Sequence, residues 1–515
     1  MIRELALGLS PEQAADKQTV RRIAASLAGL SVNDISEVFY LKRSIDARKK
    51  NIRVNLKVRI VSGEDTYKNE LQLFRLQQVN NKPEVLIAGS GPAGLFASLQ
   101  LIEEGYRPLL FERGLDVHTR KKDIAQLNRD GSVNIESNYC FGEGGAGTFS
   151  DGKLYTRSVK RGNIRKVTDT LFQLGAPEEI LYDSHPHIGT DKLPSIVEKI
   201  RNIIIDCGGI VRFSSRITDI ITDDGRVSGI VLAAGERISG NRLILATGNS
   251  ASDIYSMLDS KGIVMQAKPT AMGVRIEHPQ ELIDRIQYHG IEAGKFLPPA
   301  SYSLTAQAHR RGVFSFCMCP GGYIVPSATA GEQCVVNGMS PSRRNSPFAN
   351  SGIVVEIREE DYAEFSDDGA LAGIHFRNYL EKMAFQNGNG LKAPAQRVTD
   401  FLDFKPSQNL PESSYLPGLV CSPLHEWLPK FIRKSLAAGI MQFDQKMKGF
   451  ITSDAIITGV ESRTSSPVKI PRNEQFMHPT VNGLYPCGEG AGHAGGIVSS
   501  AIDGMNAAIK LAEYM

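Results

Sequence analysis

The segment Val85-Leu86-Ile87-Ala88-Gly89-Ser90-Gly91-Pro92-Ala93-Gly94-Leu95-Phe96-Ala97-Ser98-Leu99, followed by Leu109-Leu110-Phe111-Glu112, reads as strand, glycine loop, helix, strand and acid. Gly89 suits the tight turn at the strand end. Gly91 leaves room for a pyrophosphate to approach the backbone, and Gly94 allows helix and strand to pack closely. A helix starting at Pro92 and Ala93 would point its free N–H groups and positive dipole end at the phosphates. Glu112, with Arg113 beside it, stands where an acid accepts ribose hydroxyls. The segment therefore predicts a bound dinucleotide. The same glycine spacing recurs at Gly142-Glu143-Gly144-Gly145-Ala146-Gly147 and at Gly490-Ala491-Gly492-His493-Ala494-Gly495. Neither copy has both the preceding strand and a following strand with an acid, so context singles out the first.

Two distant segments bear on which dinucleotide binds. Arg242-Leu243-Ile244-Leu245-Ala246-Thr247-Gly248 follows three short strand patterns, Arg216 to Thr222, Val227 to Ala233 and Glu236 to Ser239, separated by the turn signals Asp223-Asp224-Gly225 and Ala234-Gly235. Near the C-terminus, Gly483-Leu484-Tyr485-Pro486-Cys487-Gly488-Glu489 reads as a short strand leading into a glycine loop and a helix from Ile497 to Glu513. These elements, in this order, resemble the flavoproteins of the glutathione-reductase-type FAD/NAD(P)-binding superfamily. More narrowly, the chain is similar to the bacterial family catalogued as uncharacterised FAD-dependent dehydrogenases. The closer match rests on Phe141 to Leu154, Phe316-Cys317-Met318-Cys319-Pro320-Gly321-Gly322, Met339 to Arg344, Arg463 to Pro467 and Cys487 to Gly496.

The resemblance implies FAD as cofactor, held non-covalently. It implies contacts from the first glycine loop, from Gly145, Thr148, Ser150, Asp151, Gly152 and Lys153, from Ala246, Thr247 and Gly248, and from Gly488, Glu489, Gly495, Gly496 and Ile497. Glu489 stands where the family pattern usually has Asp, which weakens the ribitol contact. A helix N-terminus at Ile497 would stabilise the negative charge that collects on a reduced flavin, and Lys153 beside the flavin would raise its potential. With only one complete dinucleotide motif, NAD(P)H enters as a transient electron donor docking at the flavin.

The expected fold class is α/β: a Rossmann-like FAD-binding domain of three layers, parallel sheet plus β-meander, with an inserted mainly β substrate domain and a small N-terminal α+β domain. The expected division is 1–83 for the N-terminal domain (βαββ, ferredoxin-like in outline), 84–264 and 454–515 for the two parts of the FAD-binding domain, and 265–453 for the insertion. The first unit reads as a strand Arg3 to Leu9, a helix Pro11 to Leu27 opened by Ser10, and strands Ile35 to Lys42 and Ile52 to Val61. Within the insertion a helical pattern runs from Asp368 to Gln386.

A length of 515 residues with 41% hydrophobic and 22% charged residues fits an ordinary folded chain of about three domains. No apolar run approaches the roughly 20 residues of a membrane span, and no secretory leader is evident, so a cytoplasmic location is expected. Seven scattered cysteines fit a reducing compartment. The net charge of +3 conceals an asymmetry: residues 1–83 hold 15 Lys and Arg against 9 Asp and Glu, and the remainder 44 against 47. The basic segment could face RNA, an anionic protein or water.

Candidate chemistry gathers in the motif stretches. His493 could serve as proton donor or charge sensor, or be a loop histidine bonded to backbone. Cys317 and Cys319 are expected to point to opposite faces if their segment is extended. That arrangement leaves a strained disulfide, one thiol facing the flavin, or simple packing beside Pro320-Gly321-Gly322. No neighbouring cluster has metal-ligand spacing, so no metal is expected. Arg343, with Arg344, and Arg463 could clamp a carboxylate or phosphate of the substrate. The leading expectation is an FAD-dependent oxidoreductase, transferring hydride to or from a small-molecule substrate. The alternative is a flavoprotein whose basic N-terminal domain binds RNA or a protein partner, as a modification enzyme or redox sensor.

Overall fold

A computed structural model describes residues 1–63, 65, 67–156, 162–291 and 296–514. Among these residues the nucleotide-type sheet is five-stranded and wholly parallel. Its order is Leu484–Pro486, Leu243–Leu245, Glu84–Ala88, Arg107–Phe111, Ile210–Arg212. The central strand is apolar on both faces, as a doubly covered parallel strand must be. Val85 and Ile87 enter the core formed with helices Pro92–Glu103, Leu193–Asp206 and Ile497–Glu513. Leu86 and Ala88 enter a second core, formed with helix Ser252–Ser260 and the antiparallel meander Ile217–Asp223, Arg226–Leu232, Arg237–Ser239. The meander strands lie within a residue of the turns that the sequence marks.

The insertion builds a seven-stranded sheet in the order Thr305–Ala308, Arg311–Cys319, Phe348–Ile357, Thr270–Pro279, Ile456–Glu461, Ala393–Arg397, Leu419–Cys421. Strand Ile456–Glu461 belongs here, paired antiparallel with Thr270–Pro279. The chain thus returns to the first sheet after Glu461, later than the expected boundary at 454. All six residues of that strand are buried, and their apolar pattern cannot say which sheet they join. The anticipated helix is found at Ala372–Asn387, and a longer one, Lys430–Lys446, covers the same core.

The N-terminal unit is a three-stranded antiparallel sheet in the order Ile2–Leu9, Arg53–Ser62, Ile35–Asp46. This is the strand order of the first half of a ferredoxin-like fold. The expected single helix is two, Pro11–Ala15 and Lys17–Ala28. Asp16 between them is extended, and its carboxylate accepts from the N–H groups of Gln18 and Thr19, capping the second helix. The compact unit ends near Ser62, and the link beyond lies on the next domain. Phe74 packs on Phe96, and Gln72 N donates to Asp169 at 2.8 Å. Some of the basic residues have partners within the chain. Arg43 forms a bidentate pair with Asp183 at 2.5 and 2.7 Å, docking the unit, while Arg48 pairs with Asp46 and Arg59 with Glu4.

Helices Pro92–Glu103 and Ile497–Glu513 cross with no side chain between them: a Cβ at Gly504 would stand 2.0 Å from the Ala93 carbonyl oxygen. Gly504→Ala should therefore lower the thermal midpoint. Overpacking of about 1–3 kcal/mol outweighs the ~1 kcal/mol that alanine gains over glycine inside a helix, and differential scanning calorimetry of the two proteins checks the sign.

Candidate functional site

A groove of about 840 Å³ runs along the joint between the two large sheets. One wall is the first glycine loop. Gly89 turns at φ +96°, where a Cβ would meet the Ala246 carbonyl oxygen at 2.6 Å, and a Cβ at Gly94 would lie 1.9 Å from Gly89 O. Gly94 is thus packed beneath the groove, while Gly89, Gly91, Pro92 and Ala93 line it. Ala246, Thr247 and Gly248 lie alongside, tied in by Ala246 N to Ala88 O at 2.9 Å. Gly488, Glu489, Gly495, Gly496 and Ile497 close the same groove. Two long helices therefore begin here, at Gly91 and Gly496, and no side chain caps either N-terminus.

Glu112 lies at the groove edge, but both its oxygens already face protein donors. Oε2 accepts from Ser90 N and Oγ at 2.9 and 2.8 Å, and Oε1 from Gly114 N and Gly142 N at 2.9 and 3.0 Å. Its carboxylate thereby pins the second glycine loop against the first. Arg113 bonds Glu136 and Asp253 and lies 4.0 Å over the Phe141 ring. The fully buried Arg120 shapes the second loop by donating to the carbonyls of Asn138, Tyr139 and Glu143 at 2.8–2.9 Å. Gly145 and Ser150 reach the groove, whereas Thr148 is buried behind it, its hydroxyl on Glu143 O.

At the other end, Asp151 is 1% exposed and holds two cations, Arg344 at 2.8 Å and Lys153 at 3.6 Å. Burial alone would raise its carboxyl, but Lys153 and Arg344 hold it down, to about 2. Lys153 also contacts Met318 O and both cysteine sulphurs, each at 3.8 Å. The expectation that the two thiols face opposite ways does not hold. Residues two apart in a strand share a face, and within the bulge between Phe316 and Cys319, where Cys317 takes a left-handed φ of +46°, both sulphurs lie beside one ammonium. Cys317 lines the groove and Cys319 lies buried beneath it. The hydrogen bond from the Cys319 thiol holds the Cys317 thiol well below the usual range; burial opposes this, and Lys153 and Arg275 assist it. The same hydrogen bond and burial push Cys319 well above that range.

The remaining candidates divide. Arg463 reaches the groove, but its guanidinium is committed to Glu381 at 2.8 and 2.9 Å, Thr329 at 2.8 Å and Gln333 at 3.1 Å. Arg343 is exposed and off the groove, and its neighbour Arg344 is the arginine that reaches it. His493 does not line the groove. Its Nε2 faces Ile470 O at 3.0 Å, and burial, with Arg472 nearby, lowers its imidazole to about 4, so it is neutral at pH 7. Glu489 accepts from Asn249 at 3.1 Å, and burial raises its carboxyl to about 7 against the pull of Lys268. Sequence reasoning missed Arg275, completely buried beneath the thiols and bonded to Glu461 and Asn350, both at 2.7 Å. An arginine between Val274 and Ile276 in an apolar strand was the available signal.

Residues 269–464 match the family described as "FAD-dependent protein, C-terminal domain-like", and residues 1–61 match "Domain of unknown function (DUF8436)". An uncharacterized protein of Clostridium beijerinckii is 43% identical over 506 residues, covering 94% of this chain and 93% of its own. The chain belongs to the same family as this relative. Solved structures are more distant. A flavin-dependent brominase, a triple mutant, is 13% identical over 84% of this chain and 80% of its own, with a TM-score of 0.37. A geranylgeranyl bacteriochlorophyll reductase-like protein of Thermoplasma acidophilum is 14% identical over 86% and 80%, with a TM-score of 0.34. Likeness at that level carries no argument about activity.

Two outcomes follow. Arg344→Leu strips a cation from the buried Asp151 and should cost about 3–5 kcal/mol, less what Lys153 recovers, whereas Arg343→Leu stays within about 0.5 kcal/mol; denaturant titration of both variants separates them. For Glu489 the folded value of about 7 lies above the ordinary 4.5, so its contribution to stability is full below pH 4.5 and is lost as pH rises through 7. Glu489→Gln should remove that loss: its thermal midpoint relative to wild type should climb across this window and level off beyond it.

Proposed function

We propose that the protein is an FAD-dependent oxidoreductase, with the flavin bound non-covalently in the groove and hydride exchanged with an organic substrate at the end lined by the second sheet. The observation that carries this reading is the convergence of two uncapped helix N-termini, at Gly91 and Gly496, on one groove walled by close backbone contacts. Uncapped N–H groups and two positive dipole ends suit the diphosphate and the electron-rich edge of a flavin. Gly91 has open space in front of it, its nearest neighbour to an added Cβ being Gly145 Cα at 3.9 Å, and nothing stands within 4 Å at Gly248 or Gly495. The donor set and the bare backbone fit the cofactor.

In this arrangement Gly89, Gly91 and Pro92 would hold the diphosphate, Ala246 to Gly248 and Gly488 the middle of the dinucleotide, and Gly496 and Ile497 the ring edge. FAD supplies two-electron chemistry that no protein side chain offers. Lys153 brings a positive charge to the substrate end. Glu489, with a carboxyl near neutrality, holds or releases a proton at its free oxygen. Tyr302 and Phe316, which line the groove from the insertion, would exclude water from that end. The pairing of Arg43, Arg48 and Arg59 within the chain gives no support to an RNA-binding role for the first domain.

Gly91→Val tests the cofactor site with the fold preserved, because the added carbons project into open groove. Wild type should purify yellow and release FAD on heating, while the variant should keep the wild-type circular dichroism and hold at least tenfold less FAD. A colourless wild type overturns the reading. Anaerobic mixing of the yellow protein with NADH or NADPH then shows, by bleaching of the flavin band, whether a nicotinamide is the donor.

A further inference from the structure

We propose that Cys317 and Cys319 form a redox-active dithiol that reduces a small-molecule disulfide entering the groove, with Cys317 attacking and Cys319 resolving. This names a substrate class for the oxidoreductase reading and rests on that reading only for the return of electrons to the pair.

The geometry has the asymmetry that such exchange requires. One sulphur, Cys317, lines the groove, while the other lies completely buried behind it, with Cys319 Sγ 3.2 Å from Cys317 O. Residues two apart span at most about 7 Å when fully extended, against the roughly 4.4–6.8 Å between Cα atoms that a disulfide takes, and the left-handed φ at Cys317 departs from full extension. A non-glycine residue in this conformation stores strain of order 1–3 kcal/mol, and such residues cluster at functional sites. Reactive thiolates occupy electropositive, partly accessible surroundings. Here Lys153 Nζ lies 3.8 Å from both sulphurs, and Arg275 Nη1 lies 3.4 Å from Cys317 O. The opposing charges are Asp151, held by Arg344 and Lys153, Glu461, held by Arg275, and Glu489 across the groove. None of the other five cysteines has a second cysteine within two residues, and all seven are thiols.

The step balances without a further reagent. The Cys317 thiolate attacks one sulphur of RSSR, the S–S bond breaks, and RS⁻ leaves and takes a proton from water. The Cys319 thiol gives up its proton and attacks Cys317 Sγ of the mixed disulfide, and the second RS⁻ departs carrying that proton. The cysteine pair loses two electrons and becomes a disulfide, while RSSR gains them and becomes two RSH. Throughout, the Lys153 ammonium faces whichever sulphur carries charge. A reduced flavin held in the groove would supply the two electrons that, with two protons from solvent, return the disulfide to the dithiol.

The test uses the full-length protein carrying Cys421→Ser, which removes the exposed thiol, with glutathione disulfide as probe. Flavin content is measured on the same samples. Peptide mass mapping should show the 317–319 segment losing two hydrogens, with no adduct. In the additional Cys319→Ser variant a single glutathione should remain on Cys317, and in Cys317→Ser none should appear on Cys319. A second readout needs no cysteine variant. Alkylation of Cys317 by iodoacetamide should reach half its maximal rate well below the ordinary thiol midpoint of about 8.5, and Lys153→Met should move that midpoint up by at least tenfold in proton concentration. A 317–319 segment that stays dithiol, or a wild-type adduct that persists unresolved, overturns the proposal. A flavin-bound protein with an inert dithiol defeats only this proposal. Disulfide formation in a protein that binds no flavin defeats only the cofactor reading.

Discussion

The structure depends on backbone meeting backbone where the first parallel strand ends. At Gly94 and Gly504 a single methyl group would stand about 2 Å from a carbonyl oxygen of the neighbouring element, so strand, first helix and last helix share one contact with no side chain between them. Residues more than 400 positions apart in the chain are fixed there. The first helix is touched at its second residue, Ala93, and the last near its middle, at Gly504, and the N-termini of both, at Gly91 and Gly496, line the same groove. The unbonded N–H groups of two helices thus reach one space before any side chain is considered.

The second constraint is charge taken out of water at the joint between the sheets. Arg275 with Glu461, Arg463 with Glu381, and Arg344 with Asp151 are each buried, and each joins segments far apart in sequence. Buried pairs of this kind add little net stability over an apolar replacement, but losing one partner costs several kcal/mol, so they fix register more than they strengthen the fold. Arg463 shows the difference between type and role. An arginine in a motif suggests a substrate clamp, yet here four side-chain bonds tie it to Glu381, Thr329 and Gln333.

What could be read in the sequence was local. The loop at Gly89 to Gly94, the meander turns and the segment from Ala246 to Gly248 announce themselves within a dozen residues, because each is a strand end plus a turn that only small residues make. What could not be read was set by distant partners or by one dihedral angle. Ile456–Glu461 is buried along its whole length like the inner strands of either sheet, and only its pairing with Thr270–Pro279 assigns it. Arg343 and Arg344 are chemically identical neighbours, and the left-handed φ of +49° at Arg344 is part of a turn that sends one to solvent and the other to Asp151. His493 sits in a loop that does line the groove, at Gly495 and Gly496, but its own ring turns away to Ile470.

The bulge at Cys317 joins these levels. In an uninterrupted strand residues two apart share a face, which would set both sulphurs side by side. With the bulge, both sulphurs lie beside one lysine while Cys317 lines the groove and Cys319 is buried beneath it, and that lysine is oriented from below by a carboxylate that burial would neutralise were two cations not holding it ionised. Asp151 can stay charged because Arg344 shares it, so Lys153 keeps a net positive field toward the sulphurs instead of being cancelled by a private counter-ion. The arginine–aspartate–lysine chain supplies the charge, and the bulged cysteine segment holds one thiol at the groove and the other behind it, both beside the same ammonium.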